Sequence, residues 1–364
     1  MKKSMVIYMS KLSVGGMENS LLNLIKYSNL KNEYNITLYA LYSLEDEYKK
    51  ELEEQVELKL LWKKKWCFLG KIVCIIKILI LLLKLKLKIN KYDVSICYPY
   101  QHQILSILTR NSSKNSIIFI HSNIEKKYKE KISKHMRQIR YDKFKKIICV
   151  SNDALSSFRK LYPLYKGIST SINNYIDGEK IVYKSKEKID ENYQKTDEIK
   201  FINIARHEEK SKKITRIINS TKKLINEGYK FRVYLIGYGE DTKLYNEKIK
   251  QQGLGNTIIL LGKKNNPYPY LKNSNCLIMS SAYEGYGIVL DEARVLNVPF
   301  ISTNVADSKI LTDNGYGILC ENSEKGVYNG MKEYLDKGFK IKNKFDYKKF
   351  NLEITKKIDE IINQ

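Results

Sequence analysis

The sequence predicts an α/β fold of two Rossmann-like domains, each built on a parallel sheet, and three observations lead there. Short apolar runs alternate with helical patterns from one end of the chain to the other, the pattern of parallel α/β architecture. The 364 residues are enough for two such domains with sizeable cores. A polar, charge-rich stretch from Gly178 to Glu198, with no apolar periodicity beyond Ile181-Val182, divides the series near its middle. The expected organisation is an N-terminal domain over 1–177, a linker over 178–198, and a C-terminal domain over 199–345. A final helix over 346–364 is a candidate to cross back to the N-terminal domain.

In the first half the apolar runs place strands at 5–9, 35–42, 56–61, 93–98, 116–121 and 146–150. In the second half they place them at 200–205, 231–236, 257–261, 276–280 and 298–302. Ligands of such sheets sit at the carboxyl ends of the strands, so the loops there are where chemistry is sought. Ser13-Val14-Gly15-Gly16-Met17-Glu18 follows the first strand and opens a helix over Asn19 to Tyr27. Paired glycines let a backbone approach a ligand closely, and a helix N-terminus behind them suits phosphate. His121 ends the 116–121 strand, where it is either a site residue or a polar cap.

Residues 63–89 differ from the rest. Lys63-Lys64-Lys65-Trp66 precede a stretch from Phe68 to Leu83 that is apolar except for Gly70, Lys71 and Lys77. Lys84, Lys86 and Lys88 follow. The apolar stretch is shorter than the roughly 20 residues of a spanning helix. Its pattern suits either a helix lying in a membrane interface or a core helix whose lysines snorkel to solvent. A second basic run, Lys126 to Lys146, reads as a solvated helix face.

The net charge is +25, and residues 1–177 hold +17 of it, 32 Lys+Arg against 15 Asp+Glu. That excess calls for an anionic partner: nucleic acid, acidic lipid or a phosphorylated acceptor. Hydrophobic residues make up 43%, which argues against extensive disorder. The six cysteines (67, 74, 97, 149, 276, 320) contain no CxxC pair and lie mostly in apolar runs, which fits buried thiols rather than disulfides or a zinc site. Met1 to Ser10 is too short for the apolar core of a signal peptide, so the chain reads as cytoplasmic.

Most of the functional information lies between Ser280 and Ala293, in the string Ser-Ser-Ala-Tyr-Glu-Gly-Tyr-Gly-Ile-Val-Leu-Asp-Glu-Ala. A strand leads into a loop carrying Gly285, Tyr286 and Gly287 and then into a helix, so free backbone N–H groups face an anion. Glu284 and Glu292 frame this loop. Carboxylates repel phosphate but accept hydrogen bonds from sugar hydroxyls, so the loop suits a ligand bearing both, such as a nucleotide-sugar.

This string closely resembles the donor-site signature of the family 4 retaining glycosyltransferases of GT-B fold. The Gly-Gly-Met-Glu-Asn-Ser-Leu-Leu-Asn-Leu segment starting at Gly15 resembles the first loop of the same family. The resemblance extends to the His121 strand end, to Asn174-Tyr175-Ile176-Asp177, and to Arg206 after the first strand of the second half. It implies two Rossmann-like domains facing each other across a donor cleft, the N-terminal one facing acceptor and membrane and the C-terminal one holding the nucleotide-sugar. In that family an arginine and a lysine after this strand clamp the donor diphosphate. Arg206 takes the arginine's place, while the lysine's place falls on Ser211, leaving Lys212 or Lys210. Gly237 and Gly262 match glycine loops near the donor, and His121 the histidine facing the donor sugar. Glu284, His121, Arg206 and Lys212 are thus the implied catalytic set. The implied donor-binding set is Gly15, Gly16, Arg206, Lys210, Lys212, Gly237, Gly262, Glu284, Gly285, Tyr286, Gly287 and Glu292.

The implied activity is sugar transfer with retention from a nucleotide-sugar to a lipid-linked saccharide, in cell-surface polysaccharide or capsule synthesis. No cofactor is implied beyond the nucleotide-sugar substrate. No Asp-x-Asp pair follows a strand in the first half, so the expected enzyme is metal-independent. The expected location is the inner face of the cell membrane, held peripherally through residues 63–89 on anionic lipid. A nucleotide-sugar epimerase on the same fold is the alternative. A nucleic-acid-binding protein is a more distant one, since no helix-turn-helix, RNP or zinc pattern occurs.

Overall fold

A computed structural model describes residues 2–12, 15–43, 46–61, 68–87, 91–99, 102–128, 139–189, 193 and 197–362. Ser13, Val14, Lys63–65, Cys67, Lys88 and residues 129–138 of the second basic run lie outside the described residues. The chain forms two units: 1–175 with 349–364, and 176–348.

In the first unit, strands β1 (Lys3–Leu12), β2 (Tyr34–Ser43), β3 (Glu57–Leu60), β4 (Val94–Cys97), β5 (Ser116–Ile120), β6 (Lys146–Cys149) and β7 (Ser169–Ser171) form a parallel sheet in the order β3-β2-β1-β4-β5-β6-β7. Met5 to Met9 of β1 and all of β5 are buried, as expected for strands covered on both faces. The helices are α1 (Gly16–Tyr27), α2 (Leu30–Glu33), α3 (Asp46–Glu53), α4 (Phe68–Lys86), α5 (Gln103–Ser112), α6 (Ile124–Tyr128) and α7 (Asn152–Leu161). Ser151 caps α7 by accepting the Ala154 amide.

Helix α4 has two apolar faces. Cys74, Ile78, Leu81 and Leu85 pack into the core with Tyr8, Leu105 and Leu108. On the opposite side Ile72, Ile76, Leu79 and Leu83 stand exposed, joined by Val73, Ile75, Ile80 and Leu87. The helix is therefore a core helix and also carries an apolar surface. Lys77 and Lys84 run along one edge of that surface and Lys86 lies at the other. Among the described residues no helix is long and apolar enough to cross a membrane.

The second unit contains β8 (Ile199–Ile204), β9 (Phe231–Ile236), β10 (Ile258–Gly262), β11 (Cys276–Met279), β12 (Phe300–Thr303) and β13 (Gly317–Cys320), a parallel sheet in the order β10-β9-β8-β11-β12-β13. Its helices are α8 (Gly178–Lys184), α9 (Glu209–Lys212), α10 (Ile214–Asn226), α11 (Thr242–Gln251), α12 (Tyr268–Lys272), α13 (Ile288–Val295), α14 (Ser308–Asp313) and α15 (Glu324–Lys337). Helix α10 buries Ile214, Ile217, Ile218, Thr221 and Leu224, one stripe at helical spacing, against a core centred on Phe201, Phe231 and Val233.

Two expectations need correction. The stretch 178–198 is not simply a linker: its first third is α8, capped by the Asp177 carboxylate on the Lys180 amide and packed against α12 and α13. Strands β7 and β13 had no counterpart in the apolar runs. The last helix, α16 (Tyr347–Ile362), joins the first unit from residue 349. There Thr355 accepts a hydrogen bond from the Tyr175 hydroxyl (3.1 Å) and Asp359 one from Asn29 (2.8 Å). The described cysteines are free and buried.

Phe201 is fully buried, edge-on to Phe231 and Tyr334. Phe201→Ala is expected to destabilise the second unit by about 3–5 kcal/mol. Urea unfolding followed by a probe in that unit checks this, with the first unit's transition unchanged.

Candidate functional site

Both sheets reverse their strand order, between β1 and β4 and between β8 and β11. Two adjacent strands there send their chains away in opposite directions, leaving a crevice at their carboxyl ends. In the second unit the β8 loop carries Arg206 and Lys212, and the β11 loop carries Glu284 to Gly287. Backbone and side-chain bonds tie them together. The Ala282 amide donates to Ser211 O (2.7 Å), the Ser280 hydroxyl to Lys212 O (2.9 Å), and the Lys212 ammonium to Glu284 Oε1 (2.5 Å). The Ser281 hydroxyl reaches the same Glu284 oxygen at 2.6 Å.

The Lys212 and Glu284 side chains are 23% and 13% exposed. Two charges so far out of water are costly unless each answers the other. Lys210, by contrast, points to solvent, so of the two candidate lysines Lys212 is the one at the carboxylate. Arg206 is exposed, and its guanidinium is unpaired among the described residues.

The outer glycines shape this crevice. Gly237, at φ +148°, donates its amide to Gly262 O (2.9 Å), and a Cβ there would lie 1.8 Å from Ala205 O. Only glycine lets the β9 loop pass so close to the β8 loop. His207 is fully buried with Nδ1 2.9 Å from the Thr242 hydroxyl, and burial lowers its pKa, so it is a neutral structural group.

Gly287, at φ +82°, turns the chain into α13. Within α13 the residues do different work. Asp291 pairs with Arg294 at 2.5 Å, and the Arg294 guanidinium lies over the rings of Phe345 (3.6 Å) and Tyr316 (4.5 Å). The Tyr286 hydroxyl donates to Asp291 at 2.5 Å. Tyr286, expected on the donor, thus commits its hydroxyl to holding the loop onto its own helix. Burial pushes the Asp291 carboxyl up while Arg294 and the Tyr286 hydroxyl oppose the rise. Glu292 faces another way and accepts from the Tyr268 hydroxyl at 3.1 Å. Burial raises its carboxyl to about 7, with the Tyr268 hydrogen bond working against that rise.

In the first unit Gly15 caps α1 in extended conformation, and a Cβ there would meet the buried Glu18 carboxylate at 2.6 Å. Gly16 opens the helix. His121 follows β5, its ring tilted against that of Tyr98 with centroids 4.5 Å apart. Burial lowers its pKa to about 3, so the ring is neutral, and its Nε2 is buried without a hydrogen-bond partner among the described residues.

The fold therefore gathers Arg206, Lys212, Gly237, Gly262, Glu284, Gly285, Gly287 and Glu292 around one crevice of the second unit and places Gly15, Gly16 and His121 on strand-end loops of the first. Sequence reasoning missed the supports: Tyr268, Arg216 (to Ser280 O, 3.1 Å), Asn322 (to Ala282 O, 2.9 Å) and Thr303 (to Ser281 O, 2.7 Å). None sits in a motif, and only tertiary contact reveals them. Among the described residues no three His, Cys, Asp or Glu side chains cluster as a metal site.

The raised Glu292 carboxyl has a consequence for stability. From its ordinary 4.5 up to about 7 the folded unit keeps a proton that the unfolded chain has released. The stability it contributes is therefore full below 4.5 and is lost as pH rises through about 7. Glu292→Gln is expected to flatten the decline in stability between about pH 5 and pH 8, as measured by urea titrations across that range.

Residues 185–351, nearly all of the second unit, match the family model described as Glycosyl transferases group 1. The chain is similar to an uncharacterized glycosyltransferase of Methanocaldococcus jannaschii, 29% identical over 52% of this chain and 48% of that protein. It is also similar to the capsular polysaccharide biosynthesis glycosyltransferase CapM of Staphylococcus aureus, 28% identical over 35% of this chain and 33% of that protein. The matches thus span a third to about half of these relatives' own length. Among solved structures, HepE of Anabaena in complex with UDP and glucose superposes with a TM-score of 0.76 at 13% identity, over 97% of this chain and 99% of that one. The two Rossmann-like units have the GT-B fold, and residues 185–351 of the second match the Glycosyl transferases group 1 model.

Proposed function

We propose that this protein is a retaining glycosyltransferase of the hexosyltransferase type. It moves a sugar from a nucleotide-sugar donor to a lipid-linked saccharide in cell-surface polysaccharide synthesis. The observation that carries the reading is the Lys212–Glu284 pair and the separate Glu292, set around one phosphate-ready loop at the switch point of a group 1 domain. The UDP and glucose of the Anabaena structure and the capsular role of CapM support the donor class and the pathway class.

Each residue has a physical task in this reading. The amides of Gly285 to Ile288, at the head of α13, receive the diphosphate, together with Arg206 and Lys212. These cations offset charge that grows on the leaving phosphate as the glycosidic bond breaks, in place of a metal ion. Glu284 accepts from hydroxyls of the transferred sugar, and Lys212 holds its carboxylate in place until the donor arrives. Glu292 accepts from the ribose, with the Gly237 and Gly262 loops alongside. His121, neutral and with an unfilled Nε2, and the Gly15–Gly16 turn are assigned to the same ligand by resemblance. Retention follows from attack on the face the leaving group vacates, the departing phosphate oxygen taking the acceptor's proton.

Transfer from UDP- and GDP-sugars to lipid-linked acceptors, with the product anomer read by NMR, tests the reading. Glu284→Ala is expected to cut turnover some ten- to hundredfold with nucleoside diphosphate affinity little changed, and Glu292→Ala to weaken nucleotide binding by a similar factor. Activity is expected to persist in EDTA. An inverted product, an absolute metal requirement, or epimer formation without acceptor each defeats this assignment.

The acceptor places the enzyme at the cytoplasmic face of the membrane. The exposed apolar face of α4 enters the headgroup boundary while Lys77, Lys84 and Lys86 meet anionic lipid, each lysine worth about 1 kcal/mol at low salt. Vesicle sedimentation is expected to show binding to anionic vesicles, weaker binding to neutral ones, and loss of both on Ile76→Glu with Leu83→Glu. Equal binding to both vesicle types, or to neither, returns α4 to a purely structural role.

A further inference from the structure

Resting on the donor reading of Glu292, we propose that Tyr268 is a positioning residue for the donor's ribose: its hydroxyl holds Oε1 of Glu292 and leaves Oε2 to the ribose hydroxyls of a nucleoside diphosphate.

A glutamate side chain has three rotatable bonds, and a carboxylate that must accept from two adjacent hydroxyls gains from being fixed beforehand. Tyr268 does this from a different element. It starts α12, after Pro267, with its amide donating to Asn266 Oδ1 at 3.2 Å. Asn266 is itself held to Lys184 O and to the Glu187 carboxylate, both at 2.8 Å, at the end of α8. Tyr193 anchors the rest of α12. Its hydroxyl donates to Asn273 O at 2.9 Å, and its ring lies 4.4 Å from Tyr234 and edge-on to Tyr270 at 5.5 Å. The phenol therefore comes from a braced helix, and the 3.1 Å contact is imposed on the more mobile glutamate.

The charge pattern around the pair suits the role. Burial and the adjoining Glu292 carboxylate raise the Tyr268 phenol far above its ordinary value, so it stays a proton donor across the working range. Asp291 on the same helix acts on Glu292, and Asp177 at the head of α8 acts on Tyr268. Of these, Asp291 disfavours ionised Glu292. Glu179 of α8 is paired with Lys348 at 3.2 Å, and β11 carries no charged side chain. Among the described residues the Tyr268 hydroxyl is the group that lowers the Glu292 carboxyl and so favours the ionised form needed to accept from ribose.

Calorimetric titrations of the full chain with uridine diphosphate and guanosine diphosphate, from about pH 5.5 to pH 9, test this. In the wild type, affinity should rise with pH and level off above about 7, where Glu292 is ionised. In Tyr268→Phe, loss of one hydrogen bond to a charged acceptor should move the acid limb up by about one to two pH units. Affinity near pH 7 would then fall about fivefold or more, recovering as pH rises. An unshifted limb, whether affinity is unchanged or lowered equally at every pH, overturns the positioning role. Glu292→Ala separates the two readings. If it binds nucleotide as the wild type does, or if neither nucleotide binds the wild type, the donor assignment fails and takes this inference with it. If Glu292→Ala weakens binding while Tyr268→Phe leaves the limb in place, only the Tyr268 role is lost.

Discussion

The place where the strand order turns over, between β8 and β11, is the constraint on which the second unit's site depends. Parallel strands send all their carboxyl ends to one edge, and reversal separates the two loops that follow adjacent strands. The crevice needs no special residues to exist, but it needs them to keep its shape. Ser280, Ala282 and Ser211 supply it by bonding one loop's backbone to the other. Gly237 allows a third loop to close in where any side chain would strike Ala205 O. Lys212 and Glu284 are thereby held against each other, with Arg206 on the same β8 loop.

The two glutamates of the loop show how one residue type is prepared for two tasks. Glu284 sits where little water reaches it and accepts from an ammonium and a serine hydroxyl. Glu292, eight residues on, accepts from the Tyr268 hydroxyl with Asp291 close by, and burial lifts its carboxyl to about 7. Glu284 lies in the loop before α13 and Glu292 within the helix, so they meet different partners. Between them Asp291 is absorbed by Arg294 and Tyr286 and fixes the helix rather than the ligand. A string of three acids in nine residues thus divides into a paired, a structural and a proton-poised carboxylate, a division set by neighbours distant in sequence.

Much of this architecture was legible because parallel strands are buried on both faces and read as plain apolar runs. The runs at 5–9, 116–121 and 231–236 needed nothing more. Strands β7 and β13 escaped for physical reasons. Ser169–Ser171 is polar because an edge strand needs no apolar face, and Gly317–Cys320 is too short to stand out beside its glycine. Helix α8 was hidden because its contacts with α12 and α13 bury few apolar side chains in a lysine-rich stretch. In the site, glycine and acid positions could be read from strand–loop–helix grammar alone. Which lysine reaches Glu284 could not, since α9 is one short turn and its neighbours Lys210 and Lys212 differ only in the direction each faces. Tyr268 lay beyond reach for the same reason, as did the bond from the Tyr286 hydroxyl to Asp291 that ties the loop to its helix.

Helix α4 shows the same limit on a larger scale. Its composition raised two readings, core helix or interfacial helix, as if they excluded each other. A helix that is apolar all round can satisfy both, because a stripe of four residues is enough to seat it on the sheet. The remaining circumference is then free to be apolar for another reason. Burial in the core explains Cys74, Ile78, Leu81 and Leu85 but not eight exposed aliphatic positions, which lower solubility without adding to the packing. Lysines at both edges of that face, with no acid on the helix, supply the complementary charge of an anionic interface. The side chains facing the core make α4 part of the Rossmann unit, and those facing away form the apolar surface on which the proposed lipid contact rests.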